Sequence, residues 1–305
     1  MKAPLGFPRS LLGRLARGGR RASPLDRQDR LFNLTLSLPM AAFLLIFFVA
    51  PLFFVVFFAF DIYDQGTYQP SGRFNLNNFS TVWTPAIAVL FGKTAFVAAI
   101  VTLMSFVFAY PAAWFIAEQP RGRRELLVML LVIPFWTSFL LRTYSLMQIF
   151  REGGLADQFL QAVGITQTDV FAIGNLWSVV WAEVYTFMPY MALPLYATLE
   201  RMSRTSIEAS YILGAGRVRT FFRVILPLSL PGILAGSILV FIISMGELVI
   251  PALVGGVDGF LLGNAIFERM QTPGSASALG LLFTGVIFAA SVVYFRVVGG
   301  EGLRL

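Results

Sequence analysis

Long apolar runs separated by short polar stretches recur along the whole chain. A helix needs about 20 apolar residues to cross a ~30 Å hydrocarbon core, and six runs satisfy that length. The predicted spans are Asn33–Phe60, Ala86–Glu118, Glu125–Phe150, Gly174–Leu199, Pro231–Val254 and Ser277–Val298. Prolines within these runs do not exclude a span, because neighbouring helices can satisfy the carbonyls that proline leaves free. The pattern therefore predicts one polytopic, all-α membrane domain over residues 33–298.

Composition agrees with a membrane protein and excludes several enzyme classes. The chain is 57% hydrophobic and 13% charged, whereas a soluble domain is about 25% charged. It contains neither Cys nor His, so thiolate nucleophiles, the usual general base and the commonest metal ligands are missing. We predict no catalytic and no metal site; an intramembrane enzyme that uses Ser, Lys or carboxylates is the weakest class left open. Nucleic acid is not expected as a partner, because the basic residues are not gathered with aromatics on a folded domain.

Lys and Arg are frequent in alternate loops of this six-span arrangement. The loops after the first, third and fifth spans hold only Arg73, Arg151 and Arg269, whereas the other loops and both termini are rich in arginine. Cytoplasmic loops carry this excess in membrane proteins. We therefore expect both termini and the loop 200–230 in the cytoplasm, with residues 1–32 as a basic segment and uncleaved signal anchor and 299–305 as a short tail. On the outer side, apolar residues at helical spacing predict short helices over Gly154–Val163 and Phe260–Met270.

The cytoplasmic loop 200–230 predicts a helix, a bend and a second helix. The first helix extends to Leu213 with a serine at its start, two glycines allow a sharp break, and a proline ends the second helix. The residues that set these boundaries are Ser203 or Ser206, Gly214, Gly216 and Pro227. This part of the chain is expected to protrude from the membrane.

Five residues of that loop have a characteristic spacing: Glu208, Ala209, Gly214, Leu226 and Pro227. The spacing resembles the EAA motif of binding-protein-dependent ABC permeases, which reads Glu-Ala-Ala, three residues, Gly, nine residues, Ile, one residue, Leu-Pro. Ser210 replaces the second Ala of that pattern and Val224 replaces its Ile. The resemblance implies that the first helix is a coupling helix that docks in a cleft of an ATPase subunit, with Glu208 as its polar contact and the bend at Gly214 and Ala215.

The resemblance extends over residues 35–295 and narrows to the spermidine/putrescine permease branch through the segments Pro134–Tyr144, Pro194–Glu200 and Gly246–Pro251. It implies a six-span type I importer fold in the bacterial inner membrane and a polyamine-like cation as the solute. An opine, a ferric ion or another small solute is the alternative. The implied partners are an ATPase homodimer, a second similar permease, an external solute-binding protein and membrane lipid. Because the chain has no G-x-x-x-x-G-K-[ST] phosphate loop, no cofactor is expected in it, and ATP and magnesium are expected in the ATPase.

Four ionisable residues fall inside the predicted spans: Lys93, Arg142, Glu183 and Glu247. At 1.5 Å per residue, all four lie roughly 10–14 Å from the outer ends of their helices. A charge at that depth is costly unless it faces a cavity, a partner or water, so each residue is a functional candidate. The alternative is structural: Lys93 and Arg142 reach the outer surface with their long side chains, or acids and bases pair with one another.

Glu183 and Tyr190 share one face of the fourth span and offer a carboxylate with an aromatic ring, a combination suited to an alkylammonium ion. Together with Glu247, Trp136 and Tyr144 they form the candidate solute path. A stand-alone secondary transporter is the second function class, in which the two carboxylates would be an ion or proton site. Uptake driven by an ion gradient without any ATPase would distinguish that class from an ABC importer.

Overall fold

The computed structural model describes residues 38–63, 70–151, 153–164 and 173–302. The chain divides into two compact units, residues 1–55 and 56–305. The described part of the first unit is the beginning of helix α1 (Leu38–Phe60), which contains one π-helical turn at Leu45–Val49 and exposes its large apolar side chains. The predicted basic segment 1–32, the start of the first predicted span and the last three residues of the predicted tail lie outside the described residues.

In the described residues of the second unit, the regular structure is helical except for one short antiparallel pair, β1 (Asp61–Tyr63) and β2 (Pro70–Phe74), in which Asp61 is opposite Phe74. The predicted all-α class is confirmed, and the strand pair is a local addition: Asp61 ends the apolar run, and the following proline and glycines disfavour helix. The helices that follow are α2 (Asn77–Val82), α3 (Pro85–Glu118), α4 (Arg121–Trp136), α5 (Phe139–Phe150), α6 (Leu155–Ala162), α7 (Leu176–Glu200), α8 (Arg204–Ile212), α9 (Arg217–Leu228), α10 (Leu230–Met245), α11 (Val249–Val254), α12 (Leu262–Glu268) and α13 (Pro273–Gly302).

Three described helices are long and apolar enough to cross a membrane unbroken: α1, α3 and the part of α13 from Pro273 to Val292. Two bent helix pairs raise that number to five if each pair is one span. One pair is α4 with the chain from Phe139 to Ala162, and the other is α9 with α10. The fourth predicted span is also one continuous helix, α7, which has 25 residues and is capped by the Asn175 side chain accepting from the Ser178 N–H at 2.9 Å. Its composition is less apolar, because it carries Glu183 and several tyrosines and prolines. The short helices predicted on the outer side are present as α6 and α12.

The third predicted span is not one straight helix. α4 ends at Trp136, Thr137 is extended, and the chain from Phe139 continues at 90° to α4. The helix continues through Pro134 and ends two residues later, where the Thr137 hydroxyl and N–H both donate to the Pro134 carbonyl, at 2.7 and 3.3 Å.

The fifth predicted span is also broken, and a carboxylate is the reason. α10 ends at Met245, and Glu247 then accepts from the N–H groups of Val249 and Ile250 at 2.8 and 3.1 Å. These donors belong to the unpaired first turn of a new helix, so the side chain starts α11 instead of letting α10 continue. Apolar periodicity alone could not reveal a cap inside an apolar run.

The core of the second unit is built on α3, α7 and α10. Buried side chains of all three helices form one cluster, which includes Val101 and Ala113 of α3, Met191 of α7 and Val240 of α10. Gly232 and Gly236 of α10 have the G-x-x-x-G spacing of closely packed membrane helices, and both face α7. A Cβ on Gly232 would lie 2.8 Å from the carbonyl oxygen of Pro194 and 2.6 Å from the Thr198 hydroxyl. Close approach of α7 and α10 therefore requires glycine at this position.

We expect Gly232→Ala to lower the thermal stability of the purified chain in detergent. The added methyl meets backbone on α7, so the two helices must separate, which costs about 1–3 kcal/mol. Gly280→Ala in α13 is the matched control, because a Cβ there meets nothing within 4 Å and alanine favours helix. Equal melting temperatures for the two variants would contradict the close packing of α7 on α10.

Candidate functional site

The loop that carries the motif forms two helical arms joined by a bend, and we call Arg204–Leu228 the bent segment. α8 ends at Ile212 and α9 begins at Arg217. Between them Gly214 has a φ of +80°, a left-handed conformation that glycine adopts without steric cost. The N–H groups of Gly214 and Ala215 donate to the carbonyls of Tyr211 and Ser210 at 2.9 and 3.0 Å. The predicted helix, bend and helix are thus confirmed.

The predicted start of the first helix is confirmed, because Ser203 is the N-cap residue of α8, although its side chain makes no capping hydrogen bond. One local detail differs. Pro227 does not end the second arm, which continues to Leu228. The turn before it, Phe221–Ile225, is π-helical, and this wider turn accommodates a proline that has no N–H to donate. After Ser229 the chain bends by 64° and continues as α10.

Apolar side chains are exposed at the tip of the bent segment. Ile212 and Leu213 are 86% and 87% exposed, and Val218 on the second arm is 71% exposed. The motif residues Glu208 and Ala209 are also exposed on α8. Two adjacent large apolar residues held in solvent by a fixed turn are unfavourable unless another surface covers them.

The remaining motif residues face inward. Leu226 and Pro227 are half-buried, and Leu226 packs against the core cluster of α3, α7 and α10. On the first arm, Ile207 also packs against this cluster, so both arms contact the helix bundle and the tip is the part that is exposed.

Glu208 lies beside a small polar cavity at the arginine-rich end of the bundle. The cavity has a volume of about 240 Å³ and is bordered by Trp114, Tyr211 and the ion pair of Arg124 with Glu200. Nη1 of Arg124 donates to Oε1 of Glu200 at 2.8 Å and so ties α4 to the end of α7. The first arm therefore lies next to the ion pair that links α4 to α7.

At the opposite end of the bundle, Glu183 is fully buried between α7 and α10. One carboxylate oxygen accepts from the hydroxyl of Ser244, and the other has no hydrogen-bond partner in the described part of the chain. Buried carboxyl oxygens are normally satisfied, so an unpartnered one is a candidate for proton, water or cation binding. Tyr190, predicted on the same face, is packed edge-to-face on Phe135, with 4.8 Å between the ring centroids.

The other three ionisable residues bind backbone groups. Glu247 caps α11, the Lys93 ammonium donates to the carbonyl of Asp258, and Nη2 of Arg142 contacts the carbonyl of Thr137 at 3.5 Å. Among the described residues, the ion pairs are Arg121 with Glu125 and Arg124 with Glu200. Ion pairs among Lys93, Arg142, Glu183 and Glu247, the structural alternative to a functional role, are not found in the described residues.

A cavity of about 580 Å³ opens between α5, α11 and α12, close to the break before α11. Tyr144, Phe260, Phe267, Asn264 and Glu268 contribute to its lining. Of the predicted path residues, Tyr144 lies in this cavity, whereas Glu183 is buried elsewhere and Trp136 is 72% exposed. The sequence reasoning missed Glu268, although the predicted outer helix Phe260–Met270 contains it next to an aromatic residue.

Comparisons with known proteins match both the fold and the sequence. A family profile described as "Binding-protein-dependent transport system inner membrane component" matches residues 99–299. The spermidine/putrescine transport system permease protein PotB of Escherichia coli K12 is 34% identical over 226 residues, which cover 73% of this chain and 82% of PotB. A bacterial ABC transporter that imports the acidic polysaccharide alginate has a chain of similar fold, with a TM-score of 0.66 and 15% identity, covering 92% of this chain and 97% of that one.

The alginate transporter in complex with its alginate pentasaccharide-bound periplasmic protein gives a similar superposition, with a TM-score of 0.68, 15% identity and coverage of 91% of this chain and 96% of that one. At this identity the likeness is one of fold. The family profile spans most of the second unit, including the bent segment with its motif and the packed helices α7 and α10. The chain therefore belongs to the family of binding-protein-dependent transport system inner membrane components.

Proposed function

We propose that this inner-membrane ABC permease imports a polyamine and takes its driving force from a separate ATPase that docks on the bent segment. The family consists of transport permeases, which are not enzymes. The 34% sequence identity to PotB over most of the chain supports a polyamine as the solute. An opine, a ferric ion or another small solute stays as the alternative, because similar folds carry different cargoes.

In the proposed topology, six spans place both termini and the bent segment in the cytoplasm. α4 with α5 forms one broken span, and α10 with α11 forms another. The alternation of arginine-rich and arginine-poor loops supports this orientation. α6 and α12 then lie on the outer side, where an external solute-binding protein would dock.

The observation that carries the proposal is the form of the bent segment. Its tip presents two large apolar side chains, Ile212 and Leu213, beside the exposed carboxylate of Glu208. An apolar tip with a polar flank is the composition of a helix that docks in a cleft of a partner. The proposed occupant of this surface is an ATPase subunit, which would hold the ATP and magnesium.

The helix contacts suggest how movement of the ATPase would reach the membrane. The second arm α9 leads into α10 at Ser229, whose hydroxyl lies 3.0 Å from the Tyr110 hydroxyl on α3. α10 in turn packs on α7 through Gly232 and Gly236. A displacement of the bent segment would therefore move α3, α7 and α10 together. A second, similar permease is proposed to complete the pore, and two ATPase copies would act on the two bent segments.

For the solute path, we propose that a polyamine enters through the cavity of Tyr144 and Glu268 and then approaches Glu183. Aromatic rings and a carboxylate attract an alkylammonium through cation–π and charge interactions. Glu183 is buried in this conformation, so it would take part only in another conformation that exposes its carboxylate to the path. Glu247 is proposed to act indirectly, by holding α11 against the cavity.

We expect Glu268→Gln to raise the KM for spermidine uptake about tenfold in the assembled transporter, because one charge interaction with the ammonium is lost. Glu183→Gln should reduce the maximal rate, since its carboxyl is reached only after rearrangement. Uptake of radiolabelled spermidine into proteoliposomes measures both quantities. The control is Glu125→Gln, which removes an exposed carboxylate at the arginine-rich end. Transport kinetics like those of the unmodified protein in both test variants would exclude this path.

Co-purification and reconstitution test the proposed function as a whole. The chain, expressed together with its partner ATPase, second permease and binding protein, should purify as a complex. Reconstituted in liposomes, that complex should take up spermidine only when ATP is present. The rival, a stand-alone secondary transporter, predicts that the purified chain alone takes up solute under an ion gradient. Gradient-driven uptake without any ATPase would overturn the proposal.

A further inference from the structure

The two arms of the bent segment are joined by a pair of buried hydroxyl groups. Ser210 on α8 is 8% exposed and Thr220 on α9 is fully buried. Their hydroxyl oxygens lie 2.9 Å apart, and the Ser210 hydroxyl also donates to the carbonyl of Ile207 at 2.7 Å. Ser210 stands where the EAA motif has its second alanine, so neither the motif nor the proposed docking surface accounts for this contact.

The direction of the hydrogen bonds follows from the number of protons. A serine hydroxyl has one proton, and that of Ser210 is used by the carbonyl of Ile207. Thr220 must therefore donate to Ser210, which accepts. Loss of the Ser210 hydroxyl leaves the buried Thr220 hydroxyl without this acceptor, whereas loss of the Thr220 hydroxyl leaves the Ser210 proton satisfied.

We propose that Ser210 and Thr220 are positioning residues that hold the two arms at a fixed angle and so set how efficiently ATP hydrolysis is coupled to transport. This inference rests on the proposed docking of an ATPase on the bent segment. The contact closes the bend across ten residues, with Gly214 inside it as the point of greatest backbone freedom. A rigid bend transmits displacement of the tip to α10, whereas a loose bend absorbs it by pivoting at Gly214.

Three variants test the pair: Ser210→Ala, Thr220→Val and the double variant. Each removes a hydroxyl with little change in volume. We expect Ser210→Ala to lower the amount of spermidine transported per ATP hydrolysed about fivefold. Loss of one neutral hydrogen bond shifts the equilibrium between a fixed and a loose bend by about that factor. Thr220→Val should have a smaller effect. The double variant should be milder than Ser210→Ala, because no buried hydroxyl is then left unpaired.

Two further measurements separate positioning from general damage. Hydrogen exchange of the full chain should show faster exchange around Ala215 in Ser210→Ala, while α7 and α10 keep their protection. The conservative variant Thr220→Ser retains the donor and should keep the transport ratio of the unmodified complex. Thr205→Val, an exposed threonine of α8, is the control for a change of the same chemistry.

The outcomes distinguish this inference from the function on which it rests. If the unmodified permease does not co-purify with an ATPase, or if it transports without ATP, the proposed function is refuted. A normally coupled unmodified complex with an unchanged transport ratio in Ser210→Ala, or with strictly additive losses in the double variant, overturns the role of the hydroxyl pair alone.

Discussion

Replacement of Gly214 by valine is expected to abolish solute-stimulated ATP hydrolysis, while the chain still inserts in the membrane. The φ of +80° at this residue is unfavourable for a β-branched side chain and costs about 1–3 kcal/mol. A Cβ at Gly214 would meet nothing within 4 Å, so the effect comes from the backbone and not from a clash. The bend would open to relieve the strain, and the tip residues would then no longer present the docking surface. ATPase activity of the reconstituted complex with loaded binding protein measures the loss, which we expect to exceed tenfold.

Gly216 provides the matched control for this prediction. It lies two residues away in the same bend, and a Cβ there also meets nothing within 4 Å, but its φ is −72° and its ψ is 166°. Valine adopts that extended conformation readily. Gly216→Val should therefore keep most of the stimulated activity. Loss of activity in Gly216→Val to the same degree would show that bulk in the bend, and not the left-handed conformation, is what matters.

A charge placed at the tip is expected to separate the permease from its ATPase. Ile212→Asp with Leu213→Asp replaces two side chains that are 86% and 87% exposed, so the isolated chain should lose almost no stability. In the complex these positions would be desolvated, and a carboxylate in an apolar cleft costs several kcal/mol. We expect the ATPase to be lost from the purified complex, with at least a hundredfold weaker binding, as measured by co-purification and titration.

The control for the tip is Val257→Asp. Val257 is 91% exposed and lies between α11 and α12, on the side proposed to face outward. The same substitution there should leave the ATPase bound. If the tip variant kept its ATPase, or if Val257→Asp lost it, the docking surface would have to be elsewhere.

The parts of the fold that sequence predicted well are those set by apolar length and by glycine. α3 and α13 lie within a few residues of their predicted ranges or extend them, because their apolar runs are unbroken. The bend at Gly214 was predictable because a left-handed residue is best supplied by glycine. Glu208 and its neighbours could be placed on an exposed arm from the motif alone.

The breaks inside the predicted spans could not be placed in the same way. At Thr137 the helix ends through a side chain that bonds to the carbonyl of Pro134, and at Glu247 a carboxylate starts a new helix. Both are contacts of single side chains with the local backbone, and hydrophobic periodicity does not record them. The same holds for Glu183, whose position within the fourth span was predictable but whose burial against Ser244 depends on how α7 packs on α10. The cavity of Tyr144 and Glu268 depends on that packing as well.

Cross-linking from the tip of the bent segment tests the central claim most directly. The chain contains no cysteine, so Leu213→Cys introduces its only thiol. A photoactivatable group attached to that thiol should cross-link to the ATPase in inverted membrane vesicles, and the yield should change when ATP is bound. In intact cells, a thiol reagent that cannot cross the membrane should fail to label Leu213→Cys. Labelling from outside the cell, or a tip that never contacts an ATPase, would contradict the account.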